Sequence, residues 1–324
     1  MKKLFISIVI VTLLLTTVVA KNDQDTIIIY SSLEQFRGDA LQEQLKEKFP
    51  DLKAYVMYVP TAKSAAKISV EGTGSDADIL VGVETAYLEK VQDSLADTSS
   101  YTKLDYLDDL DNINSKYVVW ERQAGSIIVN NAVIKKHNLP VPKTYDDLLN
   151  PIYKNLIAMP DPKSSGTGYF FYKNLVNVKG EAGALEYIDK LSKNVKTFTE
   201  SGSGPVKLLK QGEIAIGLGL TFQAVDEFNK GNDFTIIEPE YGSPCSLTGA
   251  GIIKGREKDE DIMKVYDFII NDFLIYDKEN FSPEKVLKEQ TNKMENYPKD
   301  IKYANMKGIE SITAKEHLLS IWKF

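Results

Sequence analysis

Cysteine occurs once in this 324-residue sequence, at position 245, so no intramolecular disulfide can form and the fold must be held by its apolar core. Histidine occurs twice, at 137 and 317, far apart in sequence, so with one cysteine a zinc site of ordinary composition is not expected. Arginine is nearly as scarce: Arg37, Arg122 and Arg256 stand against 36 lysines. With 46 acidic residues and a formal charge of −7, the chain lacks the clustered cation that a nucleic-acid backbone requires. Any anion must therefore meet a local site. The catalytic signatures are missing too. There is no Gly-x-Ser-x-Gly elbow, and Cys245, in Pro244-Cys245-Ser246, has no base nearby in sequence and reads as a packed thiol. The acidic run from Asp105 to Asp111 lacks the spaced glycine and closing glutamate of a calcium loop. No repeat of fixed period, low-complexity tract or Gly/Ser linker is found.

What is present begins with an address. Lys2-Lys3 precede an apolar run from Leu4 to Leu15, broken by Ser7 and Thr12, and Val18 and Ala20 then have the spacing of a cleavage site. Residues 1–20 are read as a secretory signal peptide, because the run is shorter than the roughly 20 residues that span a bilayer. The mature chain then starts near Lys21 and carries a charge of −9, since Lys2 and Lys3 are lost. No cysteine near this junction offers a lipid attachment point, so a free protein in the periplasm or an equivalent extracytoplasmic space is expected.

The remainder alternates strand and helix patterns. Ile27-Ile28-Ile29 reads as a buried strand, and Ala40, Leu41, Leu45 and Phe49 follow at helical spacing. Leu52–Val59, Lys63–Val70 and Ala77–Val83 continue as strand, helix and strand. A second run has strands at Ile127–Val129, Leu156–Met159, Val195–Phe198 and Phe234–Ile237, with helical patterns between them, and a last strand at Gly249–Ile253 precedes a helical tail. This order predicts an α/β fold of two lobes, each a mostly parallel sheet flanked by helices. The expected division is 21–118 for the first part of lobe one, 119–245 for lobe two, and 246–324 for the return to lobe one and the C-terminal helices. The crossovers are expected near 117–128 and 243–253.

Small hydroxyls and glycines gather where strands give way to helices: Ser31-Ser32, Thr61 and Ser64, Ser164-Ser165-Gly166-Thr167-Gly168, Ser201-Gly202-Ser203-Gly204 and Thr221. In an open parallel sheet the ligand crevice lies outside the carboxyl ends of the strands. Free amides at the helix starts there favour an anion. The competing reading of each turn is ordinary helix capping. Ser165-Gly166-Thr167 is the sharpest candidate, because glycine allows close backbone approach, although the lysine of a nucleotide loop is missing. Arg122, beside Trp120, could grip an anion or pair with Glu121, and Glu240 could accept from a ligand amine or hydroxyl or lie in an exposed loop.

The order of segments resembles the solute-binding proteins of ABC importers, in the two-lobed branch containing ferric-iron, thiamine, 2-aminoethylphosphonate and hexose-phosphate binders. It is carried by Ile29-Tyr30-Ser31-Ser32, by Pro142–Leu149 leading to Ile157–Pro162, and by Ser165-Gly166-Thr167-Gly168-Tyr169. Glu200–Pro205, Gln211–Gly217 and Ile252–Gly255 follow in the same order. The resemblance implies a monomeric receptor of the type 2 periplasmic-binding-protein fold, without enzymatic step or cofactor, that closes on one solute and docks on a membrane permease. Its expected contacts are Ser31, Ser32 and Thr61 from one lobe and Ser165, Gly166 and Thr167 from the other, with Arg122, Thr221, Gln223 and Glu240 as specificity contacts. The expected solute is a small phosphorylated or phosphonate-type anion. Ferric-ion members commonly carry adjacent tyrosines after the Gln-Gly-Glu strand, where this chain has Leu218-Gly219-Leu220-Thr221-Phe222-Gln223. A metal binder of the same fold would use Tyr30, Glu34 or Glu240, a thiamine-like cation would need a clamp such as Trp120 with Tyr169, and a secreted hydrolase is the alternative of a different class.

Overall fold

The computed structural model describes residues 26–98, 100–110 and 113–324, and the expected signal peptide lies outside the described residues. The first lobe starts with strand β1 (Thr26–Ser31), helix α1 (Gln35–Lys48), β2 (Lys53–Tyr58), α2 (Thr61–Glu71), β3 (Ile79–Glu84) and α3 (Thr85–Val91). Strand β4 (Val118–Asn130) then carries the chain into the second lobe. There α4 (Asn131–Lys136), β5 (Ile157–Pro160), α5 (Gly166–Leu191), β6 (Val195–Thr199), α6 (Gly204–Lys210), β7 (Ile216–Leu220), α7 (Thr221–Asn229) and β8 (Phe234–Ile237) follow. Strand β9 (Cys245–Ile252) returns the chain to α8 (Glu260–Asp267) and α9 (Leu274–Asn280), and α10 (Ile312–Ile321) closes the sequence.

The strands form one continuous sheet in the order β2-β1-β3-β9-β4-β7-β5-β6, with β8 also on β4. β1 is parallel to β2 and β3, and β5 is parallel to β6 and β7, whereas β9 runs antiparallel to both β3 and β4. Each lobe therefore has a parallel sheet, and the antiparallel pair β4–β9 joins them. Parallel strands are covered on both faces, which is why Ile27-Ile28-Ile29 reads as an unbroken apolar run. Successive residues point to opposite faces. Ile29 and Ile79 enter the cluster under Trp120, Val265 and Phe273, while Tyr30 and Leu80 meet Ile68 and Leu88 on the other side. In the second lobe Ile127, Val129 and Met159 pack under Tyr169–Leu175, and Ile128 and Ala158 face Val206, Leu209 and Phe234.

Two features depart from the sequence expectations. The short strand expected at Ile127–Val129 and the crossover near 117–128 are one 13-residue strand, hidden in the sequence by the polar residues Glu121–Gln123 and Ser126. The expected helical tail is also interrupted. Residues 281–311 form neither helix nor extended strand, only isolated bridges at Leu287 and Tyr303. Pro283 and Pro298 remove backbone donors there, and side chains substitute: the Gln290 carbonyl accepts from the Val286 amide at 2.9 Å. Ala304 and Met306 within this stretch, and Leu318 and Trp322 beyond it, join the core of the second lobe rather than returning to the first.

A buried ionic cluster fastens the crossover to the first lobe. Arg37, fully buried on α1, donates from Nε and Nη2 to Asp277 at 2.8 and 2.6 Å, from Nη2 to Glu121 on β4 at 2.7 Å and from Nη1 to Glu34 at 2.8 Å. Lys278 Nζ lies 3.1 Å from Asp277. Burial alone opposes charge on Asp277, but the neighbouring Arg37 and Lys278 outweigh it and hold the carboxyl below its ordinary range. Removing one partner strands buried charge, so Arg37→Met is expected to lower the unfolding free energy by about 3–5 kcal/mol in denaturant titration; a loss under about 1 kcal/mol would contradict the role given to this cluster.

Glu284 lies buried against the same strand, accepting from the Ala124 amide at 3.3 Å. Burial pushes its carboxyl up to about 7, with the charge of Glu121 adding to the effect. Because the folded-state value is raised above the ordinary 4.5, the folded protein retains a proton that the unfolded chain loses first. The contribution is complete below about pH 4.5 and is lost as pH rises through about 7. Glu284→Gln is expected to flatten this part of the melting-temperature curve; an unchanged curve would contradict the assignment.

Candidate ligand cleft between the lobes

The carboxyl ends of the parallel strands of both lobes face one another across a cleft of about 210 Å³. The turns after β1, β2 and β3 line it with Ser32, Glu34, Pro60, Thr61 and Glu84. From the second lobe come the turns after β5 and β6, residues 164–167 and 200–203, together with Leu220 and Gln223 at the start of α7. The crossover strands supply Gln123, Ser246 and Thr248. The lobes nearly touch here: Gln223 Nε2 donates to Glu34 Oε1 at 3.5 Å, and a Cβ on Gly166 would stand 3.0 Å from Glu84 Oε2. Larger hollows lie elsewhere. One of about 890 Å³ sits at the opposite, amino ends of β1 and β2, lined by Asp51, Asp76, Asp78, Asp259 and Asp261 with Lys53 and Arg256.

The second-lobe wall is built around the start of α5. Ser165 caps this helix, its Oγ accepting from the Gly168 amide at 3.5 Å; the helix is kinked at Gly180, where φ is 71°, so the segment that starts at the cleft ends there. The amides of Gly166 and Thr167, the next in line, have no acceptor among the described residues, as expected for the first turn of a helix. The Thr167 hydroxyl also lacks a partner there. The approach is kept close by glycines: a Cβ on Gly202 would meet Thr167 Oγ1 at 2.3 Å, and one on Gly168 would meet the Pro160 carbonyl oxygen at 2.4 Å. In the first lobe Thr61 Oγ1 accepts from the Glu84 amide at 2.9 Å, which leaves its hydrogen free to donate into the cleft. Ser32 Oγ donates to the Val59 carbonyl at 2.8 Å. Thr248 on β9 is the most telling residue, because its Oγ1 is fully buried and unpaired among the described residues.

The cleft thus brings together Ser32, Thr61, Ser165, Gly166, Thr167 and Gln223. Four other candidates stand away from it. Ser31 turns inward, its Oγ accepting from the Leu33 amide at 3.3 Å. Thr221 shares a 2.6 Å hydrogen bond with Ser126 and lines a separate hollow with Phe228 and Ile236. Glu240 accepts from the Tyr145 amide at 3.1 Å through both oxygens, which fixes the loop before the 3-10 helical turn at residues 146–149. Arg122 pairs with Asp109 and lies over the Tyr303 ring at 4.5 Å. Trp120 stacks on Phe273 in the first core and Tyr169 is buried in the second, so they form no clamp. Tyr30 is bonded to Asp76 and Lys67, apart from Glu34 and Glu240. Among the described residues no group of three or more His, Cys, Asp or Glu side chains is arranged to hold a metal ion. Burial pushes the Cys245 thiol up to about 11, so it stays protonated at neutral pH.

Gln123, Glu84, Ser246 and Thr248 were not singled out from sequence. For the three on β4 and β9, the available signal was the two-residue alternation of a strand that crosses a cleft.

Two α/β lobes, joined by paired crossover strands and opposed at the carboxyl ends of their sheets, define a two-lobed binding protein of the type 2 periplasmic class. Residues 75–307 match the model of the bacterial extracellular solute-binding proteins, and the chain belongs to this family. The structure superposes on the periplasmic binding protein P5PA with a TM-score of 0.79 and 22% identity, covering 92% of this chain and 98% of that one. It is similarly close to AfuA of Actinobacillus pleuropneumoniae, solved with fructose-6-phosphate (TM-score 0.79, 20% identity, 92% and 97% covered). The apo ferric-ion-binding protein A of Pasteurella haemolytica follows with a TM-score of 0.73 and 16% identity, covering 91% of this chain and 96% of that one. At these identities the likeness concerns the fold. In sequence, 131 residues are 30% identical to an uncharacterised protein of Haemophilus influenzae, a match spanning 40% of this chain and 38% of that protein.

The packing around α5 gives a direct check. Alanine in a helix is ordinarily favoured over glycine by about 1 kcal/mol, yet at Gly168 the added methyl would strike the backbone of Pro160, Asp161 and Pro162. Gly168→Ala is therefore expected to destabilise by about 1–3 kcal/mol in denaturant unfolding; a stabilised variant would contradict the geometry of this turn.

Proposed function

We propose that the protein is the extracytoplasmic receptor of an ABC importer and captures a small phosphorylated or phosphonate-type solute in the interlobe cleft. The observation that carries this reading is the pair of unengaged amides of Gly166 and Thr167 at the start of the helix that runs to the kink at Gly180, in a cleft whose lining also includes Thr248 with its buried, unpaired hydroxyl. The positive end of the helix dipole and these donors favour an anion. Ser32, Thr61 and Gln123 add polar groups from the first lobe and the crossover, and Ser165, Thr167 and Gln223 add them from the second. No covalent step is involved. Donors from both lobes can be satisfied by one solute when the cleft is shut, so binding stabilises the closed form by differential affinity, and that form is what a permease would read. The fructose-6-phosphate bound by the structural relative AfuA is consistent with this solute class. A secretory route through residues 1–20 completes the proposal.

Native mass spectrometry of freshly purified protein and a thermal-shift panel of glucose 6-phosphate, fructose 6-phosphate, 2-aminoethylphosphonate, thiamine and ferric citrate test it. A phosphorylated or phosphonate compound is expected to raise the melting temperature in a concentration-dependent way, and Thr167→Val is expected to weaken its binding about tenfold. A response to ferric citrate or thiamine with none to the phosphorus compounds would overturn the reading.

A further inference from the structure

Although the cleft is proposed to hold an anion, its charged lining residues are Glu34, Glu84 and Glu200, and among the described lining residues none is lysine or arginine. The cations stand behind the wall. Both oxygens of Glu84, at the end of β3, accept from Lys315 Nζ at 2.6 and 2.7 Å. Lys315 is 2% exposed and sits between the rings of Tyr87 and Tyr169, at 4.5 and 4.4 Å from their centroids. It comes from α10, outside the cleft. A carboxylate carries about four lone-pair sites, and the two contacts from Lys315 leave the rest free. The carboxylate also stands against Gly166, so a solute anchored at the Gly166 and Thr167 amides brings its neighbouring atoms within reach of Glu84.

The pair also bridges the lobes. α10 lies across both lobes: it packs along α3 of the first, while Leu318 and, just past its end, Trp322 enter the core of the second and His317 Nε2 stands 3.0 Å from Glu181 on α5. Glu84 and Tyr87 belong to the first lobe, and Lys90 on α3 adds a second, exposed contact to Glu316 at 2.6 Å. Opening the cleft must either separate Lys315 from Glu84, leaving charge in an apolar setting, or drag α10 from its seat.

Resting on the anion reading above, we propose that Glu84 is a specificity residue that accepts from a hydroxyl or ammonium group carried by the solute beside its anionic group, and that Lys315 is the positioning residue that holds it there when the lobes meet. The solute is then a donor-bearing phosphate or phosphonate. A simple alkyl phosphate or phosphonate leaves Glu84 without a partner.

The test uses two probe pairs that differ in donors, 2-aminoethylphosphonate with ethylphosphonate and glycerol 3-phosphate with propyl phosphate, in isothermal titration calorimetry. The wild type is expected to favour the donor-bearing member of at least one pair by about tenfold or more. Glu84→Gln and Lys315→Met should remove most of that preference while phosphorus-dependent binding survives, and Lys315→Arg should restore it. Small-angle scattering of the ligand-free proteins supplies an arm that needs no solute. Lys315→Met should have a larger radius of gyration than the wild type, and Lys315→Arg should not. Equal binding of both members of each pair leaves the anion reading standing and overturns this one, as does Lys315→Met with both preference and radius unchanged. A wild type that binds none of the four probes fails at the anion reading itself and takes this proposal with it.

Discussion

The antiparallel pairing of β4 with β9 is the constraint on which the rest of the molecule depends. A parallel sheet gathers its helix starts at one end. Joining two such sheets through a pair of crossing strands turns these ends toward each other, so turns separated by more than a hundred residues in sequence share one small space. The crossover strands then become part of the wall, through Gln123 on one and Ser246 and Thr248 on the other. The same connection is the place where relative movement of the lobes would be absorbed. That explains why charge is concentrated around it: Arg37, Glu121, Asp277 and Lys278 bind α1, β4 and α9 into one body, so motion is referred to the strands rather than to loose packing beneath them.

A second regularity concerns where the cations are kept. Arg37 lies behind Glu34 and Lys315 behind Glu84, each buried and each outside the cleft that its carboxylate helps to line. A cation placed inside would attract any small anion, including inorganic ones. Carboxylates backed by buried cations instead present acceptors of fixed orientation, with less repulsion toward a negative solute than bare carboxylates would exert. In the proposed reading, attraction for the solute's anionic group is left to amides and hydroxyls, most of them at the helix starts that set their directions.

Much of the architecture was legible in the sequence because it rests on periodicity. Unbroken runs such as Ile27-Ile28-Ile29, followed by helical spacing, specify strand and crossover helix, and the structure has both where expected. The loop 281–311 was not legible, since its order comes from side chains such as Gln290 and Asn292 bonding to backbone, a pattern with no period. In the cleft, sequence could identify the turns but not the facing of individual side chains. Ser31 and Ser32 are adjacent, and one turns into the lobe while the other reaches the cleft. Arg122 and Gln123 divide in the same way, because a strand sends neighbours to opposite faces and composition favours neither. Lys315 and Glu84 are 231 positions apart, and no local signal links them.

The central claim is that helix starts of both lobes converge on a single solute. Amide hydrogen exchange, measured with and without the compound giving the largest thermal shift, tests it most directly. The account predicts that residues 32–34 and 61–63 of the first lobe and 165–168 and 201–204 of the second become protected together, at the same solute concentration. Protection confined to one lobe, or falling on the surfaces away from the cleft, would contradict it.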